Sequence, residues 1–200
     1  MEISWDTILG SGRVSTVYAG RVSGTQRQVA IKMVNIKHRM SAGMELGWCV
    51  AVANHPDIVT ILDVEVIPRG CHHYIGLVFE RYHIDVRQLF KKKAVELAGL
   101  RYVLRNVVSA LTYMHEKGML HADVQPANLL MRPEDFAAAD WSQWLGMPRI
   151  CESDLHAPLF GGCISPRGCI FKVVVGDLGS AGLACPEERC YNKPATRGDA

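Results

Sequence analysis

Apolar positions in the first eighty residues come in short runs rich in branched side chains. Val14, Val17, Tyr18 and Ala19 flank a glycine-bearing loop, VAIKMV follows from Val29, and YIGLVF runs from Tyr74 to Phe79. Runs of that length and composition predict strands. Between them, Met40 to Ala53 predicts one short helix, weakened by Gly43 and Gly47. HPDIV (His55 to Val59) then predicts a turn into a further strand over Thr60 to Val66. After Phe79 the period changes: Leu100, Val103, Leu104, Val107, Val108, Leu111 and Met114 recur at helical spacing, which predicts one buried stripe stopped at Gly118. The fold class this pattern predicts is α+β, with a β-rich first part and a helical part after it.

A chain of 200 residues that is 48% hydrophobic has enough apolar material for one sizeable core, or for two small lobes sharing a cleft. The formal charge is only +2, and the 22 basic residues are dispersed apart from Lys91 to Lys93, which reads as a solvated helix start. No electrostatic footprint for nucleic acid is present. No apolar run approaches the roughly 18 residues of a membrane span and no secretory pattern follows Met1, so the expectation is a soluble intracellular protein of cytoplasm or nucleus with no membrane partner. The seven cysteines, an odd number, point to reduced thiols. Cys151, Cys163, Cys169, Cys185 and Cys190 surround His156 without any paired ligand knuckle, so no metal is assigned there.

Residues able to hold a triphosphate and its metals occur in order along the chain: Gly10 and Gly12, Lys32, Asp123 with Asn128, and Asp177. Glycines let backbone amides approach phosphate oxygens without a Cβ between, although a Gly-Ser-Gly pair also suits a plain hairpin. Lys32 ends the apolar run Val29 to Ile31, where burying an ammonium without an anion is costly. Asp123 and Asn128 lead directly into the run Leu129 to Met131, and a capped turn is the alternative reading of that pair.

Together, LGSGRVSTVYAG, VAIK, HADVQPANLL and GDLGSA resemble the motifs of eukaryotic protein kinases. LVFERYHIDVRQLF (Leu77 to Phe90) and YMHEKGMLHADVQPANLL are most similar to the cyclin-dependent branch. The likeness runs from about Leu9 to Met131 and resumes from Phe171 to about Leu183. It implies a bilobal fold with a β-rich lobe over 1–81 and an incomplete, mainly helical lobe over 82–200. It also implies ATP and Mg2+ as cofactors, a protein substrate, and transfer of the γ-phosphate to serine or threonine hydroxyls. The nucleotide-binding residues implied are Leu9, Gly10, Ser11, Gly12, Val17, Ala30 and Lys32, with Glu80 and Tyr82 offering backbone groups to adenine, Phe79 behind them, and Asp85 near the ribose. Lys32 would grip the α- and β-phosphates, paired with Glu45, for which a plain surface glutamate is the alternative. Asp123 would accept the substrate proton beside His121, and Asn128 and Asp177 would hold magnesium.

The chain departs from the family pattern at several places. Ala122 stands where arginine is usual, which removes the partner of a phosphorylated activation loop. Gln125 stands in a catalytic position where lysine is usual, a loss on the order of 10 to 200-fold in rate if one charge-assisted hydrogen bond is forfeited. Ser15 replaces the third loop glycine, and Leu178 replaces a phenylalanine as a packing swap. Residues 132–170 form an insertion, in which Pro133 to Leu145 predicts a helix presenting Phe136, Ala137, Trp141, Trp144 and Leu145 on one side. No Ala-Pro-Glu motif follows DLG before Ala200, so the second lobe is expected to need a partner, or the insertion, to cover the stripe that begins at Leu100. Around Met40 to Ala53 no cyclin-contacting helix is recognisable. The rival readings are a pseudokinase-like nucleotide-binding or scaffolding module and, third, a small-molecule phosphotransferase.

Overall fold

The computed structural model describes residues 3–25, 27–91, 97–133, 163–164 and 170–184. Strands β1 (Ile3–Ser11), β2 (Ser15–Val22), β3 (Gln28–Asn35), β4 (Ile61–Arg69) and β5 (His72–Glu80) form one antiparallel sheet in the order β1-β2-β3-β5-β4. Helix α1 (Arg39–Ala51) carries the chain from β3 to β4. The fold is thus mixed α+β. Period-two alternation divides the sheet into faces. Val29, Ile31, Met33 and Val78 pack with Tyr18, Ile67 and Tyr74 on one side, and Ala30 and Lys32 point to the other.

Helix α1 forms despite Gly43 and Gly47, each costing about 1 kcal/mol against alanine, because Ala42, Glu45 and Cys49 recur at helical spacing and are all buried. The two glycines face open space, with nothing near where a Cβ would stand. Burial of one face overrides propensity here.

Beyond β5 come β6 (Ile84–Asp85), α2 (Val86–Lys91), α3 (Leu97–Glu116), β7 (Met119–Leu120), β8 (Leu129–Pro133), β9 (Cys163–Ile164), β10 (Ile170–Val175) and β11 (Gly182–Leu183). Four of the strands form a sheet in the order β6-β8-β10-β9, and β7 pairs with β11. Lys91 closes α2 rather than opening a helix, which places its charge at the end of the helix where a cation is favoured. Pro133 likewise corrects an expectation: it is the last residue of β8, opposite Phe171 of β10, not the first turn of a helix. Phe136, Ala137, Trp141, Trp144 and Leu145 lie outside the described residues, as do Lys92 and Lys93.

Helix α3 also narrows the expected stripe. Val103, Val107, Ala110 and Met114 are buried, whereas Leu104 and Val108 are 50% and 61% exposed. At about 100° per residue, the latter two turn away from the face seated on β10 and β7. Gly118, at φ 70°, ends the helix as expected.

The two parts share one core, which runs from Cys49, Val52, Leu77 and Phe79 through Val107 and Met114 to Val173, Val174 and Leu178. Backbone bonds cross the join: Val59 N donates to Val175 O at 2.9 Å, Val175 N to Asp57 O at 2.8 Å, and His83 N to Met131 O at 3.0 Å. Among the described residues no helix is long and apolar enough to cross a membrane. Cys49 and Cys71 are free thiols.

Because Met114 is fully buried and Leu104 is half exposed, Met114→Ala should cost about 2–5 kcal/mol and Leu104→Ala no more than about 0.5 kcal/mol. Urea unfolding of the two variants measures the difference, and equal costs would contradict the packing of α3 described above.

Candidate active site

Register places the sheet's polar and glycine positions in a row. Gly10 pairs with Val17, Val17 with Lys32, and Lys32 with Leu77, so all lie on one face, and Ala30 shares it two residues from Lys32. Leu9 is the extra residue of a bulge between the Ile8–Tyr18 and Gly10–Val17 pairs and is 42% exposed. Ser11 ends β1, and the Gly12 amide closes the turn on Ser15 O at 2.8 Å.

On that face the Lys32 ammonium donates to Glu45 Oε1 at 2.7 Å and to Asp177 Oδ1 at 2.8 Å. Glu45 is therefore the buried helix partner, not a surface glutamate. Burial by itself would lower the lysine pKa, but the two carboxylates reverse that and hold it above the ordinary 10.5. Burial raises both carboxyl groups, and Lys32 pulls both down. The balance differs: Glu45 ends above 4.5 and Asp177 below 3.8. The Glu45 side chain is 4% exposed and that of Asp177 48%, so desolvation weighs more on Glu45, which the Asp177 charge raises further, while the Gly179 amide and His121 help Lys32 lower Asp177. One turn further along α1, burial and then the Glu45 charge push the Cys49 thiol up to about 12, so it stays protonated at neutral pH.

Asp177 follows β10 in a left-handed conformation, φ 55° and ψ 72°, and leads into a 3-10 turn over Leu178–Ser180. Leu178 is fully buried, as its packing role requires. Gly179 is a site residue that the motif reading passed over. Its amide bonds to Asp177, and a Cβ there would stand 3.2 Å from Asp177 Oδ1 and 3.3 Å from Glu45 Oε2. The second glycine of GDLGSA was the available signal, and only the coordinates show which carboxylates crowd it.

A second set of bonds ties the loop after β7 to Asp177. Asp123 N donates to His121 Nδ1 at 3.2 Å, which leaves the hydrogen on Nε2 to donate to Gly176 O at 2.9 Å. Gly176 N in turn donates to Asn128 O at 2.8 Å. The Asn128 amide nitrogen bonds both Asp123 O and Asp123 Oδ2 at 2.9 Å, and Gln125 Nε2 lies 3.0 Å from each Asp123 carboxylate oxygen. Between His121 and Asp123, Ala122 sits at φ 62°, a conformation costing about 1–2 kcal/mol for a residue with a Cβ.

Phe79, buried, precedes Glu80, the last residue of β5, whose amide donates to Thr60 O at 3.2 Å, and buried Tyr82 follows. Asp85 is buried and engaged locally: Oδ1 accepts the Gln88 amide at 2.8 Å and Oδ2 lies 3.3 Å from Arg87, so its carboxylate caps α2. For magnesium the donor set fits. Both amide hydrogens of Asn128 are directed at Asp123, which leaves its carbonyl oxygen for a hard cation, and Asp177 supplies a partly exposed carboxylate on the neighbouring segment.

Removing the ammonium should expose this electrostatic balance. With its folded pKa above 4.5, Glu45 favours the folded state below that pH and withdraws the contribution as pH rises through the folded value. Lys32→Met should therefore destabilise by up to about 3 kcal/mol at pH 7, with the penalty shrinking as the pH falls toward 4.5. Adding Glu45→Gln should recover most of the loss. Denaturant unfolding across the range checks both, and a penalty independent of pH would contradict a buried charged Glu45.

The protein kinase domain family matches residues 4–143. Cyclin-dependent kinase 7 of Xenopus laevis is 30% identical over 132 residues, covering 62% of this chain and 36% of that protein. Extracellular signal-regulated kinase 2 of Dictyostelium discoideum is 28% identical over 131 residues, 63% of this chain and 35% of that protein. CBL-interacting serine/threonine-protein kinase 2 of Arabidopsis thaliana is 28% identical over 134 residues, 64% of this chain and 28% of that protein. The chain spans roughly a third of the length of these curated relatives. Matched over more than half its residues by one domain family, this chain belongs to the protein kinase domain family.

Proposed function

We propose that the chain is an ATP- and magnesium-dependent serine/threonine protein kinase, in which a β-rich lobe over 1–81 and a second lobe over 82–200 enclose the nucleotide. The observation that carries this reading is the Lys32 ammonium 2.8 Å from Asp177, continued through Gly176 and Asn128 to Asp123. Lysine, two potential metal ligands and a candidate base thus belong to one bonded network.

Phosphoryl transfer asks chiefly for positioning and neutralisation of charge. Lys32 would neutralise the α- and β-phosphates, and Leu9, Val17 and Ala30 would surround the nucleotide base, with Glu80 and Tyr82 presenting backbone groups to it. Asn128 and Asp177 would hold magnesium, which supplies positive charge at the phosphate oxygens. Ser11 and the glycines beside it would cover the phosphates. Neither Gly10 nor Gly12 has positive φ, and a Cβ at either would meet no atom closer than 3.7 Å. Internal packing therefore does not demand glycine there, whereas close approach of phosphate oxygens would.

Asp123 would accept the hydroxyl proton. Its Oδ2 already takes bonds from Gln125 and Asn128, while Oδ1 takes one from Gln125, so Oδ1 keeps the capacity for the substrate. The same clamp favours the second reading. Gln125 carries no charge to the moving phosphoryl group and spends its amide on Asp123, which suits a module that binds nucleotide and transfers slowly or not at all.

Transfer of labelled γ-phosphate to a mixed serine/threonine protein substrate separates the readings. Asp123→Asn should lower transfer by about 100-fold or more, and Gln125→Lys should raise it by about tenfold or more by restoring a cation. Absence of transfer by both the unaltered chain and Gln125→Lys, with nucleotide binding intact, would overturn the kinase reading in favour of the binding module.

A further inference from the structure

Glu80 does something its backbone does not explain. Its side chain is 17% exposed and reaches two other segments as well as its own: Arg27 Nη2 lies 3.6 Å from Oε1, while the Tyr82 hydroxyl donates to Oε2 at 3.2 Å and Lys172 Nζ lies 3.9 Å from the same oxygen. Arg27 immediately precedes β3, five residues before Lys32, and Lys172 lies on β10, five residues before Asp177. The carboxylate thus spans the roots of the two strands whose far ends carry the Lys32–Asp177 pair.

We propose that Glu80 is a positioning residue: an electrostatic strut that fixes the separation of β3 and β10 and thereby sets nucleotide affinity. This rests on the nucleotide site proposed above. The need for such a strut follows from geometry. In the structure, Lys32 and Asp177 hold the front of the gap together directly at 2.8 Å. A nucleotide whose phosphates engage Lys32 and whose metal engages Asp177 replaces that direct contact, so the spacing must then be held from elsewhere. Glu80 remains bonded on both sides of the gap whatever occupies the front. The backbone bond from His83 to Met131 is the neighbouring link, at 3.0 Å, and Gln28 Oε1 lies 3.3 Å from His83 Nε2 beside it. Charge pairing with Arg27 and Lys172 is what Glu80 adds to these contacts.

The test uses the whole chain with Glu80→Gln, which keeps an acceptor for the Tyr82 hydroxyl but loses the charge, with Lys172→Met, and with the two combined. Magnesium-ATP titrations should show affinity about two- to fivefold weaker in each single variant. The double variant should be little worse than either single one, because both remove the same contact. Amide exchange at His83 and at Val59, whose bonds cross the join, should quicken in the same variants. Unchanged affinity with unchanged exchange overturns the strut, and quickened exchange with unchanged affinity overturns its role in binding. If the unaltered chain binds no magnesium-ATP, the nucleotide reading fails and the affinity role with it, while the exchange rates still show whether Glu80 holds the strands.

Discussion

One ammonium divided between two carboxylates organises this molecule. Lys32 brings together a strand of the five-stranded sheet, a helix packed beneath it and a turn from the far end of the chain, residues separated by as many as 145 positions. Such a cluster is expensive to desolvate. Here the cost falls unevenly, on the enclosed Glu45 more than on the half-exposed Asp177, and the open carboxylate is the one held below its ordinary value. An arrangement that leaves one acid accessible and one locked is suited to exchanging Lys32's outer partner while keeping its inner one.

Gly176 extends that order to the second acidic centre. His121 grips its carbonyl and Asn128 its amide, and a Cβ would come within 2.9 Å of the partly buried Leu130 side chain, which would have to shift. Two residues in left-handed conformations, Ala122 and Asp177, flank this junction. Strain of that kind persists where surrounding bonds over-determine the backbone, and here those bonds are the ones that fix the side chains of Asp123 and Asp177 relative to each other.

Much of this was legible in the chain because it depends on local patterns. The branched runs at Val29 and Tyr74 became β3 and β5, and the glycine at 118 stopped α3. Lys32 at the end of an apolar run announced an ion pair, since the alternative was an unpaired buried charge. Other features depend on what packs from a distance. Val107 and Val108 are equal in propensity, and only the position of β10 decides that one is buried and the other exposed. Pro133 opens a helix by local rules, yet its pairing with Phe171 makes it the end of a strand. The sequence offers Glu45 as the partner of Lys32 with a surface glutamate as the alternative, and only the sheet placed over its helix decides between them. Gly179 showed only as the second glycine of GDLGSA, without the carboxylates that crowd it, and Lys172 gave no signal of its own.

The account's central claim is that Lys32 and Asp177 face the same nucleotide across one gap. Calorimetric titration of ATP into the chain and into Asp177→Asn, each with and without magnesium, tests it most directly. The account predicts binding that magnesium strengthens in the unaltered chain, and loss of that strengthening in the variant. Binding of equal strength in all four titrations, or none in any, would contradict it.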